Sequence, residues 1–166
     1  MTSTDAAPEE RTITTVEELK EMVGQEMRVG QWFEITQEHV NQFADVTGDH
    51  QYIHVDPERA RETFFGGTIA HGYMTLAIQP MLSRDSKGVK VDLGGKMAVN
   101  YGLDRVRFPA PVPVGKRVQL RSKLLEVEDR RTDDGGYVQT KSENTVWVEG
   151  ADRPSMVAES LGRTYF

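Results

Sequence analysis

The chain has 166 residues, no cysteine and a formal net charge of −6. That length fits one domain with one core, and the lack of cysteine excludes disulfides, thiolate chemistry and Cys-based zinc sites. The mildly acidic balance, with no basic block to offset it, argues against a general affinity for nucleic acid or for an anionic membrane.

Residues 1–13 are polar, with small side chains and Pro8, and are expected to form a flexible tail before one domain over 14–166. The opening "MTSTDAAPEERT" has no apolar h-region, and no apolar run approaches bilayer length, so the expected compartment is the cytoplasm. At "TVEELKEMVG", Thr15 and Glu18 form a capping box, Val16, Leu19, Met22 and Val23 share one helical face, and Gly24 ends the helix. "MRVGQWFEI" reads as a strand. Thr36 then caps a second helix, with Ile35 and Val40 as a hydrophobic staple. Val40, Phe43, Ala44 and Thr47 lie on its inner face, and Gly48 supplies the left-handed exit. Asp56-Pro57 starts a short third helix, with Asp as N-cap and Pro at the first helical position.

"FFGGTIAHG" is a loop that feeds a more apolar helix over roughly 71–83, expected to be the central buried helix, with Pro80 bending or shortening its end. After Gly95 the pattern turns extended, with "RTDDGG" and "GADRP" as turns and "PAPVPVG" as a rigid bend. Helices in the first half and long antiparallel strands in the second give an α+β fold, a strongly curved sheet wrapped around one buried helix.

The stretch "GDHQYIHVDP" (48–57) interleaves acid, imidazole and apolar side chains. Four readings compete. It is a plain loop of caps and turn residues, which accounts for Asp56 and for an exposed His50. It is a metal site drawn from Asp49, His50, His54, Asp56 and distant His71, although no established ligand spacing is matched. It is part of a nucleophilic triad through Ser83 or Thr68, although no G-x-S-x-G elbow is present. Or Asp49 and His54 form an acid–base dyad on one water, tuned by burial among Tyr52, Ile53 and Val55. The His71-Gly72 pair at the mouth of the apolar helix favours the dyad. Gly72 admits a substrate to the backbone, and the free amides of a helix start suit an oxyanion. Such a set fits addition or removal of water next to a thioester carbonyl.

These motifs resemble those of the MaoC-like, R-specific enoyl-CoA hydratases and dehydratases. "GDHQYIHVD" matches the family pattern G-D-x-N-P-[LIV]-H-x-[DAS] at Gly48, Asp49, Ile53, His54 and Asp56, and "IAHGYMTLA" matches its helix entry. "VRFPAPVPVG" looks like the family's next strand and bend, so the likeness runs from about residue 17 to the end. Gln51-Tyr52 replaces Asn-Pro, as in the NodN-like branch.

The resemblance implies a single hot-dog domain that forms a homodimer by pairing edge strands. It implies that Asp49 and His54 activate water, that the Gly72 N–H stabilises an oxyanion, and that no metal or redox cofactor takes part. Ile69, His71, Tyr73, Asn100 and Tyr101 are expected to shape the substrate site. Arg105 and Arg107 are expected either to meet a phosphate of CoA or of an acyl-carrier protein, or to be plain solvent-facing residues. Two rival activities remain at this point, a hot-dog acyl-CoA thioesterase and a non-catalytic acyl-binding hot-dog protein.

Overall fold

Capping chemistry sets where the helices begin. In the computed structural model, which describes residues 6–166, Thr15 Oγ1 accepts from Glu18 N–H and so opens α1 (Val16–Glu21). Gly24, at φ +87°, turns the chain back and donates its N–H to Leu124 O. Thr36 opens α2 (Gln37–Thr47) with a capping box in which a histidine replaces the usual Glu or Gln. Thr36 Oγ1 accepts from His39 N–H, and His39 Nδ1 accepts from Thr36 N–H. Ile35 and Val40 of the expected staple are both buried in one cluster. Val40 and Ala44 face the core, but Thr47 is exposed and spends its hydroxyl on Phe43 O. Gly48 ends the helix at φ +78°.

Two short helices follow, α3 (Tyr52–Val55) and α4 (Pro57–Arg61). Asp56 Oδ1 accepts from Arg59 N–H, so Asp56 is the N-cap of α4. α3 was not expected. It accommodates Gln51-Tyr52, because Tyr52 occupies the first helical position, where a proline's missing N–H costs nothing.

The helix expected over 71–83 is two helices, α5 (Gly72–Ala77) and α6 (Gln79–Arg84), joined at Ile78. Pro80 has no N–H to offer the Leu76 carbonyl four residues back, and the Gln79 Nε2 amide donates to that carbonyl instead, at 3.1 Å. Nor is this segment buried all round. Met74, Thr75 and Leu82 are inside, while Tyr73 is 73% exposed and Ala77 also faces out.

Among the described residues eight strands form one sheet. β1 (Arg11–Ile13), β2 (Glu26–Val29) and β3 (Phe33–Glu34) come first, and β4 (Lys87–Val91) follows the helices. Then come β5 (Met97–Arg107), β6 (Arg117–Thr132), β7 (Gly135–Val148) and β8 (Met156–Tyr165). The order is β1-β4-β2-β6-β7-β8-β5, with β3 pairing on β6. Every pair is antiparallel except β1–β4. The expected tail is therefore shorter than 1–13, since Arg11–Ile13 pair with Val89–Val91 and Ile13 is buried; residues 1–5 of that expected tail lie outside the described residues. The strand expected over 27–35 is broken into β2 and β3. "RTDDGG" makes a two-residue hairpin turn at Asp133-Asp134, between Thr132 and its partner Gly135.

The main core joins α2, α5 and α6 to the sheet through Val40, Met74, Leu82, Val118, Val146 and Met156. A second cluster under α1 joins Leu19, Met22, Met27, Val89 and Leu124. None of the described helices is long and apolar enough to cross a membrane.

Candidate active site

The left-handed Gly48 throws Asp49 clear of α2, and the α3 turn returns His54 toward it. Four hydrogen bonds fix this return. Gln37 Nε2 donates to His54 O at 2.7 Å, and Thr68 Oγ1 donates to Gln37 Oε1 at 2.6 Å. Ile69 N–H donates to Ile53 O at 3.0 Å, and Ala70 N–H to Val112 O at 2.8 Å. The helical segment, the loop before α5 and the Pro-rich bend are thereby tied together.

His54 is 6% exposed, and its Nδ1–H donates to Ile69 O at 2.7 Å. A carbonyl can only accept, so this bond fixes the tautomer and leaves the Nε2 lone pair free. Burial pushes the imidazole below its ordinary value of 6.5, and the neighbouring His71 adds to the lowering. The Ile69 carbonyl and Asp49 pull the other way. His54 is therefore neutral at pH 7. Asp49 itself is exposed rather than buried among the apolar neighbours.

His71 is 2% exposed and stacks on His54, with ring centroids 3.8 Å apart and planes 28° apart. Its Nε2–H donates to the Asp49 carbonyl at 2.9 Å, and its buried Nδ1 has no partner. It lies behind Asp49 and His54, stacked on one and bonded to the backbone of the other, and does not line the cavity where it was expected. Ligand-type atoms of Asp49, His54 and His71 all lie within 4.8 Å of one another. Imidazole lone pairs lie in the ring plane, so two nearly parallel stacked rings aim them side by side. Each ring also has one nitrogen committed to a carbonyl. This is the geometry of a stacked pair more than of two ligands converging on an ion.

A cavity of about 250 Å³ opens in front of His54. Phe65, Ile69, Phe108, Pro109 and Val112 make it apolar, and Thr75 and Ser155 add two hydroxyls. Gly72 also lines it, and its amide, the first of α5, has no intrahelical acceptor. A Cβ on Gly72 would lie 2.9 Å from the Phe108 ring, so the glycine is required by close packing.

The other expected site residues spread out. Ile69 is in the cavity wall, as expected. Tyr73 points away from it and meets Phe108 edge-on at 6.0 Å. Asn100 and Tyr101 line a different hollow, on the other flank of α5, and the Tyr101 ring lies under Arg163. Arg105 is exposed, 3.8 Å from Glu159, which Lys141 already holds at 2.9 Å. Arg107 donates to the adjacent Val106 carbonyl beside the cavity residue Phe108. His50 is peripheral, paired with Asp45 at 2.9 Å. Gln37, Phe108 and Ser155 were not foreseen. A glutamine at a helix start carries no signal of its own, and Phe108 is visible only as the aromatic before the Pro-rich bend.

A curved sheet on a helical layer, with a buried imidazole in the wall of an apolar cavity at the mouth of α5, defines a hot-dog domain; the exposed Asp49 lies near that imidazole but outside the cavity wall. The MaoC-like domain family matches residues 18–147, and the chain belongs to that family. It is 53% identical over 153 residues to 3-hydroxyacyl-thioester dehydratase Z of Mycobacterium tuberculosis, covering 92% of this chain and 97% of the relative. It is 39% identical over 153 residues to nodulation protein N of Rhizobium meliloti, covering 92% of each. An R-hydratase of Pseudomonas aeruginosa has the same fold, with a TM-score of 0.64 at 21% identity, over 87% of this chain and 85% of that one.

Proposed function

We propose that the protein reversibly adds water to trans-2-enoyl thioesters, of CoA or of an acyl-carrier protein, giving (R)-3-hydroxyacyl thioesters. The observation that carries this reading is His54, neutral and with Nε2 uncommitted, in the wall of the cavity that Gly72 also lines, with a ligand-type atom of Asp49 within 4.8 Å of one of its own. The Asp49 carboxylate holds a water, and His54 Nε2 takes one of its protons as its oxygen bonds to C3. Electron density moves from the C2–C3 double bond onto the thioester oxygen, where the Gly72 N–H stabilises it. The imidazolium then returns the proton to C2, and the carbonyl re-forms. Atoms and charge balance with no further reactant. Dehydration is the same path reversed, and the (R) sense follows the relatives' names.

The protein acts as a homodimer in this reading. β5 pairs with β8 on one side only, and Met97, Tyr101 and Leu103 stand exposed along it. An eleven-residue open edge is a template for pairing with a second copy. In this reading Arg107, beside the cavity residue Phe108, meets a phosphate of the thioester carrier.

The test is loss of enoyl absorbance with crotonyl-CoA, with chiral analysis of the product and a thiol reagent in parallel. Wild type is expected to give the (R)-hydroxy product without free thiol, and Asp49→Asn to lose that turnover. Thiol release as the main reaction, or full turnover in Asp49→Asn, overturns the reading.

A further inference from the structure

The larger hollow, about 470 Å³, lies across α5 from the dyad cavity, between α5–α6 and the inner face of β5–β8. Its volume suits a small-molecule ligand. Its chemistry is unusual for the inside of a sheet that packs on helices. Four buried side-chain polar atoms lack a hydrogen-bond partner among the described residues. Three of them, Arg28 Nε, Gln79 Oε1 and Asn144 Oδ1, belong to residues lining this one hollow. Each orphaned buried polar group is costly, so three together call for an occupant.

Strand register explains the convergence. Arg28 on β2 faces Ser122 on β6, and Ser122 faces Asn144 on β7. Directly opposite residues share a face of the sheet, so these three form one cross-strand row. The next row along brings Ser142 opposite Ser160. From the helical side comes Gln79. Its Nε2 is committed to Leu76 O, the carbonyl Pro80 leaves free, so Oε1 is the buried, unpartnered atom of this lining residue. Asn144 is fixed likewise, with Nδ2 donating to Ser160 Oγ. The amide orientations are therefore set, and both free oxygens are acceptors.

The charge is as informative. Arg28 is the only charged residue in the lining, and no Asp or Glu accompanies it. Burial pushes its guanidinium below the ordinary value, yet an arginine stays protonated. A desolvated cation without a counter-charge is costly unless a ligand brings one. The missing partner must then offer an anion to Arg28 and hydrogen-bond donors to two amide oxygens.

We propose that this hollow binds a small, free hydroxylated carboxylate, with Arg28 as its counter-charge. In the test, malate is added to the whole protein in a thermal-shift assay, with succinate as the probe lacking a hydroxyl. Malate is expected to raise Tm more than succinate. Arg28→Met is expected to abolish both shifts, and Arg28→Lys to keep part of them. Arg28→Met without ligand is expected to be at least as stable as wild type, since it removes an unpaired cation.

The proposal is overturned if malate produces no Arg28-dependent shift. It is also overturned if Arg28→Met turns a dimeric wild type monomeric with malate inert, because an acid of the second copy then fills the hollow.

Discussion

The two flanks of α5 solve opposite problems. Toward His54, the cavity is apolar and the groups around it are held from behind: His54 by Ile69 O, the Asp49 carbonyl by His71, and the His54 backbone by Gln37. Toward β5–β8, the hollow is polar, and three of its lining residues carry buried polar atoms without a partner. Proton transfer needs groups whose geometry and protonation are set before the substrate arrives. Recognition of a polar ligand needs groups whose partners are absent until it arrives. One helix separates the two because Thr75 and Leu76, adjacent in sequence, face opposite flanks.

The largest effect that tests this contrast is on the dyad side. His54→Ala is expected to lower kcat/KM for crotonyl-CoA by about 10²–10⁴-fold, the range for a lost acid–base group, with little change in Tm. A loss below tenfold breaks the assignment of proton transfer to this flank. Gly72→Ala comes next. The new Cβ meets the Phe108 ring at 2.9 Å, so the ring must move into the cavity or the backbone must retreat from the substrate. A loss of roughly 10–10²-fold is expected, in line with the removal of one oxyanion donor or less. Adding Phe108→Leu is expected to recover part of it by making room. Equal activity in Gly72→Ala removes Gly72 from the mechanism.

His71→Gln is expected to be milder and to show itself in pH dependence. His71 helps hold the His54 imidazole down. Without it the imidazole titrates at a higher pH, so the acid limb of kcat/KM moves upward while its plateau falls several-fold, about the cost of one positioning hydrogen bond. A plateau loss with an unmoved limb assigns His71 to packing alone.

Much of this was legible in the sequence, and for a common reason. Caps, staples, the Asp133-Asp134 hairpin and the Gly48 exit depend on residues within a few positions of each other, as does the spacing of Asp49 and His54. What was missed depends on distant pairing. β1 and β4 are short strands that exist because they pair with each other in parallel, and nothing local announces that. The division of labour around α5 was equally hidden. Its apolar residues cover most of the helix circumference, so the pattern does not say that Tyr73 turns outward or that His71 turns in behind His54. Arg28 looks like any charged residue on an alternating strand. Its significance arises only when register sets it in line with Ser122 and Asn144.

The smallest effect concerns stability and separates His54 from His50 by sign. Burial lowers the His54 imidazole in the folded state relative to the unfolded chain. Between the folded and unfolded values the unfolded chain binds more protons, so unfolding free energy rises with pH there. The contribution is present above about 6.5, the unfolded value, and is lost as pH falls toward the folded one. His50 has the opposite sign, because Asp45 raises it. Its contribution is present below the unfolded value and lost as pH rises through the folded one. Wild type therefore shows Tm rising with pH toward about 6.5 through His54 and falling above it through His50. His54→Asn is expected to flatten the lower limb, and His50→Gln the upper one. Arg28→Met leaves this profile alone, since no Asp, Glu or His lines its flank. A His54→Asn profile parallel to wild type means that the free Nε2 is not paid for in folding stability, and the contrast then rests on catalysis alone.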